Sequence, residues 1–382
     1  MSATLSAAEA LELVAARERF GVRLGLDRMR KLVAALDHPE RRYGAIHIVG
    51  TNGKSTAART IESLLQAGGL NTGTYLSPHV VSLAERFRIG GAELDVGSVI
   101  APVLGAVRRV DAEADEPVTQ FELLTIAALN AFAEASVDVA VVEAGLGGRY
   151  DATNVLSAGI VVLTNVALDH EEQLGTTRSE IASEKLAVIK PGATVVLGES
   201  EWEAAAAARG ATTVMCADSS AGVARITAEA HLGGPLGAVN VPVPSLPGRC
   251  ERVGVDPEEI WDGAHNPHAV AWLEQQRAAI DHVLVLSILA DKNVDEMLAS
   301  FAKLGSVLVA TASTNPRALP ARELMERAES AGGFSRIEAV DDPVSGRLRG
   351  RELASAAGTA MLISGSLYLL HDLAAVRPRR VP

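Results

Sequence analysis

Short, continuous apolar runs recur along the first half of the chain and alternate with stretches whose apolar residues have helical spacing. Helical spacing predicts an amphipathic helix from Ser6 to Glu18 and a second helix whose first turn is capped by Asp27. The apolar runs are AIHIVG at 45–50, VDVAVVEAG at 137–145, AGIVVLTNV at 158–166 and ATVVLG at 193–198. Continuous rather than alternating hydrophobicity is typical of strands in a mainly parallel sheet that is covered on both faces. The pattern therefore predicts an α/β fold.

The stretch from residue 199 to residue 247 has little periodicity, and its end is interpreted as a linker between domains. Beyond it the alternation of strand and helix patterns resumes in EEIWDG, DHVLVLSIL, SVLVATAS and TAMLISGS. A chain of 382 residues is also longer than a single hydrophobic core usually organises. We therefore predict a larger domain over residues 1–247 and a smaller Rossmann-like domain over residues 248–382.

Composition and charge exclude several classes of protein. The chain is 48% hydrophobic, yet no apolar run approaches the roughly 20 residues needed to span a bilayer. Its formal net charge of −12 disfavours binding to nucleic acid or to anionic membranes, so any phosphate must be held by a local site. Two cysteines, Cys216 and Cys250, are too few for a disulfide framework, and the charged N-terminus does not resemble a signal peptide. The cytoplasm is the expected location.

A glycine-rich segment lies where the first predicted strand turns into a helix. It consists of Gly50, Thr51, Asn52, Gly53, Lys54, Ser55 and Thr56. Glycines let the backbone approach an anion closely, the helix N-terminus favours negative charge, and Lys54 adds a full positive charge. Ser55 is then placed to bind Mg²⁺. Two residues separate the glycines instead of the usual four, and the alternative is a Gly-Lys turn that merely begins a helix; nucleotide binding is the leading interpretation.

Two further polar residues follow apolar strands. Glu143 ends a strand just before a glycine-rich turn, and His170 follows Asp169 after the next strand. Carboxylate oxygens, an imidazole nitrogen and phosphate oxygens together suit Mg²⁺ or Mn²⁺. The alternatives are a solvated glutamate and a histidine that only forms hydrogen bonds in the core or at the surface.

A series of motifs identifies a resemblance that covers nearly the whole chain in collinear order. The motifs are FGVRLGLDRM, IHIVGTNGKST, TYLSPH, ERFRIGG, FEL, VVEAGLGGRYDATNV, LTNVALDHEEQLG, IASEKLAVIKPG, LPGRCE, WDGAHNPHA, SILADKNV, TNPRALPA and ISGSLYLL. With them the chain resembles the folylpolyglutamate and dihydrofolate synthases of the Mur ligase family. The resemblance implies a P-loop central domain, a Rossmann-like C-terminal domain and an ATP-dependent amide ligase. In such a ligase a folate or dihydropteroate carboxylate takes the γ-phosphoryl group of ATP, and the amine of L-glutamate then displaces phosphate.

The resemblance also implies roles for individual residues. Ser77 in LSPH would be a further metal ligand beside Ser55, Glu143 and His170, and Lys185 would be N-carbamylated and act as a carboxylate-like metal ligand. The alternatives are a serine that begins the turn before Pro78 and a solvated surface lysine. Arg249 would contact the ATP phosphates, and Asp262 and His265 would contact ribose and phosphate, which places ATP between the domains. Lys54, His170, Lys185 and Arg249 are the expected catalytic set. Mg²⁺ is the expected metal, with Mn²⁺ or K⁺ as further candidates, and the protein is expected to be a monomer.

The stretch between Lys190 and Arg249 is shorter than expected for this family, and part of it borders the adenine site in relatives. Three explanations remain: a compact active ligase, a relative whose base contacts come from elsewhere, and a catalytically weakened descendant. The pterin pocket is expected near FGVRLGL, SPHVVSLAERFRIGG and TQFEL, where Arg86 would meet an acidic substrate and Phe121 would stack on the pterin; the alternative for Phe121 is a place in the hydrophobic core. The alternatives in function are a Mur-like ligase for a non-folate acceptor and a nucleotide-binding protein without ligase turnover.

Overall fold

The chain folds into two compact units, Met1–Pro244 and Ser245–Pro382. The structure is a computed structural model, which describes residues 6–17, 23, 25–239, 241–277 and 279–378. The division falls beside the boundary predicted at 247/248. Both units are layered α/β structures with their own hydrophobic cores.

The first unit is built on an eight-stranded sheet whose strand order is β4-β3-β2-β5-β1-β6-β7-β8. Its strands are β1 (Gly44–Val49), β2 (Thr72–Tyr75), β3 (Phe87–Ile89), β4 (Ala92–Glu93), β5 (Val139–Glu143), β6 (Ile160–Leu163), β7 (Thr194–Leu197) and β8 (Thr213–Cys216). All pairings are parallel except those of β3 with β2 and with β4. The residues of β1 after Gly44, and all of β5 and β6, are buried, so the predicted continuous apolar runs are confirmed as central strands.

Helices cover both faces of this sheet, as a parallel sheet requires. They are α1 (Ala7–Ala15), α2 (Asp27–Ala35), α3 (Lys54–Ala67), α4 (Val96–Ile100), α5 (Leu104–Glu113), α6 (Gln120–Glu134), α7 (Glu171–Leu174), α8 (Arg178–Leu186), α9 (Glu203–Ala208) and α10 (Ser220–Leu232). The first helix is confirmed, with Ser6 and Glu9 forming its capping box, although its predicted end at Glu18 lies outside the described residues. The predicted cap of α2 is wrong, because Leu26 is the N-cap and Asp27 is already inside the first turn, where it pairs with Arg30.

The weakly patterned stretch from 199 to 247 contains three regular elements, α9, β8 and α10. β8 is the edge strand of the sheet and alternates between exposed and half-buried residues, which explains why it lacks a strong apolar run. α10 packs mainly on α3, the helix that follows the glycine-rich segment. This short stretch therefore completes the core of the first unit.

The second unit is a six-stranded sheet in the order β13-β12-β11-β14-β10-β9, in which only β9 is antiparallel to its neighbour. Its strands are β9 (Glu251–Val255), β10 (Glu258–Trp261), β11 (His282–Leu286), β12 (Val307–Ala310), β13 (Arg336–Ala339) and β14 (Ala360–Ser364). Its helices are α11 (Pro267–Arg277), α12 (Val294–Phe301), α13 (Ala321–Ala331), α14 (Pro343–Ala357) and α15 (Leu367–Asp372). The Rossmann-like alternation predicted from the sequence is thus present. Throughout the described part of the chain, the helices are too short or too polar to cross a membrane.

Candidate active site

The glycine-rich segment forms the turn between β1 and α3. Gly53 is the N-cap of α3 with φ +79°, a left-handed conformation that glycine adopts without steric cost. The Lys54 ammonium donates hydrogen bonds to two carbonyl oxygens of the same turn, those of Gly50 at 3.1 Å and Thr51 at 3.2 Å. The first turn of α3 therefore presents amide groups and a positive charge beside one loop, which is the arrangement that binds phosphate.

Glu143 joins two of the other predicted site residues. It is the last residue of β5 and only 2% exposed. One carboxylate oxygen accepts from the Ser55 hydroxyl at 3.1 Å, and the other accepts from the Ser77 amide at 3.1 Å. The Ser77 hydroxyl is itself buried and has no hydrogen-bond partner among the described residues. Three of the five predicted metal ligands thus lie together at the ends of β5 and β2 and at the start of α3.

Lys185 lies on α8 and is buried against the glycine-rich segment. Its ammonium donates to the Gly50 carbonyl at 3.0 Å, the same oxygen that Lys54 contacts. Burial, reinforced by the positive charge of Lys54, lowers the pKa of Lys185 to about 7, against a smaller opposite effect of Asp169 and Asp151. A buried lysine with this pKa is a large departure from the solvated lysine that its sequence context suggests.

His170 lies in the loop that follows β6. It adopts a left-handed backbone conformation with φ +53°, and its side chain is 40% exposed. The carboxylate of the preceding residue, Asp169, accepts from the His170 amide at 3.0 Å and lies 3.9 Å from its imidazole Nε2. The charge of Asp169 also acts on Lys185, so the His170 loop and α8 face the same region.

The donor set of this region is unusual for a metal site. Among the residues that the structure describes, three or more His, Cys, Asp or Glu side chains do not converge anywhere on a possible metal position. The candidate ligands include a single carboxylate, Glu143, and a single imidazole, His170. A divalent cation here would depend on the hydroxyls of Ser55 and Ser77, on phosphate oxygens and on Lys185 in a modified, anionic form.

In the second unit, Arg249, Asp262 and His265 lie on two adjoining turns. Asp262 follows β10 and is buried; its carboxylate accepts from the amides of Cys250 at 2.7 Å and Ala264 at 2.8 Å. Burial raises the pKa of Asp262, and the guanidinium of Arg249 opposes that rise. His265 donates from Nδ1 to the Gly263 carbonyl at 2.8 Å. The structure thus brings these three predicted residues together.

Two residues expected to contact a pterin, Phe121 and Arg86, lie in the first unit. Most of FGVRLGL lies outside the described residues. Phe121 packs against Tyr75, with ring centroids 6.1 Å apart, and Arg86 is buried and donates to His79 Nδ1 at 2.9 Å. A cavity of about 400 Å³ opens between the loop after β5, at Leu146 to Tyr150, and helices α7 and α8. The loop that follows Glu143 therefore borders a space large enough for a small molecule.

Four polar residues that the sequence analysis did not single out support this region. Thr164 and Asn165 contact the glycine-rich segment from the end of β6. His47 and Asp151 are buried on either side of Thr153, whose hydroxyl donates to Asp151 and lies 2.7 Å from His47 Nε2. For His47, Thr164 and Asn165 the available signal was a polar residue within or directly after an apolar run; Asp151, in the loop after β5, had no such signal.

Comparison with known proteins gives the same picture. The model of the Mur ligase glutamate ligase domain matches residues 248–367. The dihydrofolate synthase/folylpolyglutamate synthase of Bacillus subtilis is 30% identical, over 94% of this chain and 96% of that protein. Mycobacterium tuberculosis folylpolyglutamate synthase, solved with ADP and AMPPCP, has a TM-score of 0.89 and 29% identity, covering 98% of this chain and 99% of that one. The bifunctional synthase of Yersinia pestis, solved with AMPPNP and a Mn ion, has a TM-score of 0.82 and 27% identity, covering 98% and 99%.

These matches extend over nearly the full length of both partners, in sequence and in structure. They agree with the two α/β units of the structure. The chain belongs to the folylpolyglutamate synthase/dihydrofolate synthase family and is an ATP-dependent carboxylate–amine ligase of the Mur ligase type.

Proposed function

We propose that this protein adds L-glutamate to the carboxylate of a folate or of dihydropteroate, using ATP and a divalent cation, in the cytoplasm. One structural observation supports the proposal independently of the similarity to the family. A buried carboxylate, Glu143, bridges the first turn of a phosphate-binding helix at Ser55 and the turn at Ser77, whose hydroxyl is buried without a partner among the described residues. A buried anion beside a phosphate-binding turn is expected where a cation joins them.

The phosphate groups of ATP are proposed to lie on the turn from Gly50 to Thr56. The amide groups at the start of α3 and its helix dipole favour negative charge. Among the described residues, the Lys54 ammonium donates to backbone carbonyl oxygens, which it can exchange for phosphate oxygens. Its role is to stabilise the charge that develops on the transferred phosphoryl group.

The residues at Glu143 fit a divalent cation. The unpartnered, buried Ser77 hydroxyl and the Ser55 hydroxyl are hard oxygen donors of the kind that Mg²⁺ prefers. Ser55, Ser77, Glu143, His170 and modified Lys185 are proposed to hold it. When bound, such a cation neutralises phosphate charge and orients the transferred group.

Lys185 is proposed to carry a carbamate. A pKa of about 7 leaves a large fraction of the amine neutral near physiological pH, and only the neutral amine attacks CO₂. In that reaction the neutral Nζ forms a bond to the carbon of CO₂ and releases one proton, so a buried neutral amine becomes a buried anion. The exchange removes the repulsion between Lys185 and Lys54, which share the Gly50 carbonyl.

In the second unit, Arg249 is proposed to pair with phosphate oxygens, and Asp262 and His265 to contact ribose and phosphate. A guanidinium is suited to this because its charge is permanent and its planar fork matches phosphate. Asp262 also fixes the backbone of both turns through the Cys250 and Ala264 amides. Replacing Asp262 is therefore expected to displace Arg249 as well.

The reaction requires no nucleophile from the enzyme. The acceptor carboxylate attacks the γ-phosphorus of ATP, ADP leaves, and the amine of L-glutamate then attacks the acyl phosphate carbon and expels phosphate. The enzyme contributes mainly by positioning the reactants and by neutralising charge. Lys54 and Arg249 are proposed to provide the positive charge that neutralises the phosphates.

The proposal is tested by measuring the release of ADP and phosphate in the presence of Mg²⁺-ATP and L-glutamate. The assay is run with dihydropteroate, with tetrahydrofolate and with no acceptor. Release that requires both a pterin carboxylate and glutamate supports a folate ligase. Release only with an unrelated carboxylate indicates a Mur-like ligase for another acceptor. ATP binding without release for any acceptor would refute ligase activity.

For Lys185, native mass spectrometry is expected to detect one added CO₂ that is lost on acidification. Lys185→Ala should reduce turnover, and Lys303→Ala, at an exposed lysine of the second unit that pairs with Glu274, should not. An unmodified and dispensable Lys185 would contradict the proposed carbamate.

A further inference from the structure

The peptide of Asn52, at the centre of the phosphate-binding turn, is held by two side chains from another strand. The Asn165 amide group bonds it on both sides, accepting from the Asn52 amide at 3.0 Å and donating to the Asn52 carbonyl at 3.0 Å. The Thr164 hydroxyl donates to the same carbonyl at 2.7 Å. Three hydrogen bonds therefore fix a turn that has no regular secondary structure of its own.

The sheet supplies the two residues at this position. β6 lies parallel to β1, with Leu163 opposite Val49, so the residues after β6 lie beside the residues after β1. The Thr164 amide continues the ladder by donating to Val49 at 3.0 Å, and the Thr51 amide donates to the Asn165 carbonyl at 2.9 Å. The contact is thus an extension of strand pairing into the turn.

Gly50 is the residue that allows this close approach. A Cβ at position 50 would lie 1.9 Å from the Thr164 hydroxyl oxygen, far inside the contact distance of real atoms. The absence of a side chain at Gly50 therefore makes room for Thr164, in addition to letting a phosphate approach the backbone. That contact places Thr164 directly under the turn.

The same segment continues towards the proposed metal ligand. The Thr51 hydroxyl accepts from the Ala167 amide at 3.0 Å, and three residues later the chain reaches His170. The phosphate-binding turn and the segment that leads to His170 are therefore joined by hydrogen bonds from side chains of both: Thr51 on the turn, and Thr164 and Asn165 on the segment.

We infer that Thr164 and Asn165 are positioning residues for the nucleotide: they fix the Asn52 peptide so that the amide groups that follow it, at the start of α3, are oriented before phosphate arrives. The inference rests on the proposed function only in taking this turn as the phosphate site. Preoriented amides bind an anion without the cost of ordering the turn during binding. Loss of the Thr164 hydroxyl should therefore weaken nucleotide binding without affecting the other substrates.

The test compares Thr164→Val, which keeps the shape and removes the hydroxyl, with Thr164→Ser, which keeps the hydroxyl. Thr212→Val is the matched control, because the Thr212 hydroxyl also donates to backbone carbonyls, those of Gly192 and Ala193, in the same unit. The measurements are the Kd for ADP by calorimetry, the KM for each substrate, kcat and the melting temperature.

Thr164→Val is expected to raise the Kd for ADP and the KM for ATP by about ten-fold, the effect of one lost hydrogen bond. The KM for glutamate and for the acceptor should stay unchanged, and Thr164→Ser should bind ADP like the wild type. Asn165→Ala should weaken ADP binding further, since it removes both bonds to Asn52, and it provides the test if Thr164→Val does not fold.

Wild-type ADP affinity in folded Thr164→Val and Asn165→Ala would overturn the inference, as would equal weakening in Thr212→Val. The ADP measurement needs no turnover, so the two proposals can fail separately. An enzyme that binds ADP but transfers no glutamate would refute the proposed substrates. The ADP affinities of the variants would still decide the role of Thr164 and Asn165.

Discussion

His47, in the middle of β1, is predicted to make the first unit sensitive to acid. It is completely buried, and its Nε2 lies 2.7 Å from the Thr153 hydroxyl oxygen. Because the Thr153 hydroxyl donates to Asp151, its oxygen accepts from His47, so Nε2 carries a proton. The buried Nδ1 has no hydrogen-bond partner among the described residues, which disfavours a second proton there. Burial, reinforced by the positive charge of Lys190, lowers the pKa of His47 to about 3.

The size of the effect follows from the two pKa values. The unfolded chain binds a proton at His47 below its ordinary pKa of 6.5, while the folded protein does not until about 3. Since the unfolded state then binds more protons, stability is complete above pH 6.5 and falls as the pH decreases towards 3. At about pH 5 the difference is 1.5 pH units, or about 2 kcal/mol at 1.36 kcal/mol per unit.

Urea unfolding of the wild type and of His47→Gln, at about pH 7.5 and about pH 5, measures this contribution. Glutamine offers a neutral N–H donor at the position of Nε2 and does not titrate. The wild type should lose about 2 kcal/mol more than His47→Gln between the two pH values, because the titration of all other groups is common to both proteins. An equal loss in both would refute the reasoning, as would an NMR titration in which His47 protonates near pH 6.5.

Three further substitutions test other parts of the structure. Gly148→Ala should destabilise the protein by about 1–3 kcal/mol in thermal denaturation, because its Cβ would lie 2.6 Å from the backbone oxygen of Lys185; full stability would show that α8 does not pack this closely. Arg347→Met should cost about 3–5 kcal/mol in urea unfolding, since it leaves Glu259, which is fully buried, without its bidentate partner; the double variant Arg347→Met/Glu259→Gln should recover part of the loss, and no recovery would contradict the pairing. Lys54→Met should lower kcat by about a hundred-fold or more while the melting temperature stays unchanged; a kcat within a few-fold of the wild type would exclude Lys54 from phosphoryl transfer.

The apolar pattern predicted the central strands because these are buried on both faces. β1, β5 and β6 each appear in the sequence as a mainly apolar run, and the polar residues at the ends of these runs, such as Glu143, could be identified as candidates from position alone. The α/β fold class could therefore be predicted without a relative. The motifs were needed for the reaction, since a phosphate-binding turn is shared by many classes of enzyme.

The pattern could not predict contacts that depend on strand order. Thr164 lies under Gly50 because β6 is placed beside β1, and no local signal gives the order of strands in a parallel sheet. The same holds for Lys185, whose helical context is that of a solvated lysine and whose burial comes from the packing of α8 against Gly50. β8 was missed for a different reason: as an edge strand it buries little, so its sequence has no continuous apolar run.

The central claim is that the buried carboxylate beside the phosphate-binding turn serves a glutamate ligase. Mass spectrometry of the acceptor after incubation with ATP, Mg²⁺ and L-glutamate tests it most directly, with the wild type and Glu143→Gln compared side by side. The account predicts a dihydropteroate or folate product that is heavier by one glutamyl residue, formed by the wild type only when all three are present and formed at least a hundred-fold more slowly by Glu143→Gln. ADP release without a glutamylated product, or the same rate of product formation in Glu143→Gln, would contradict it.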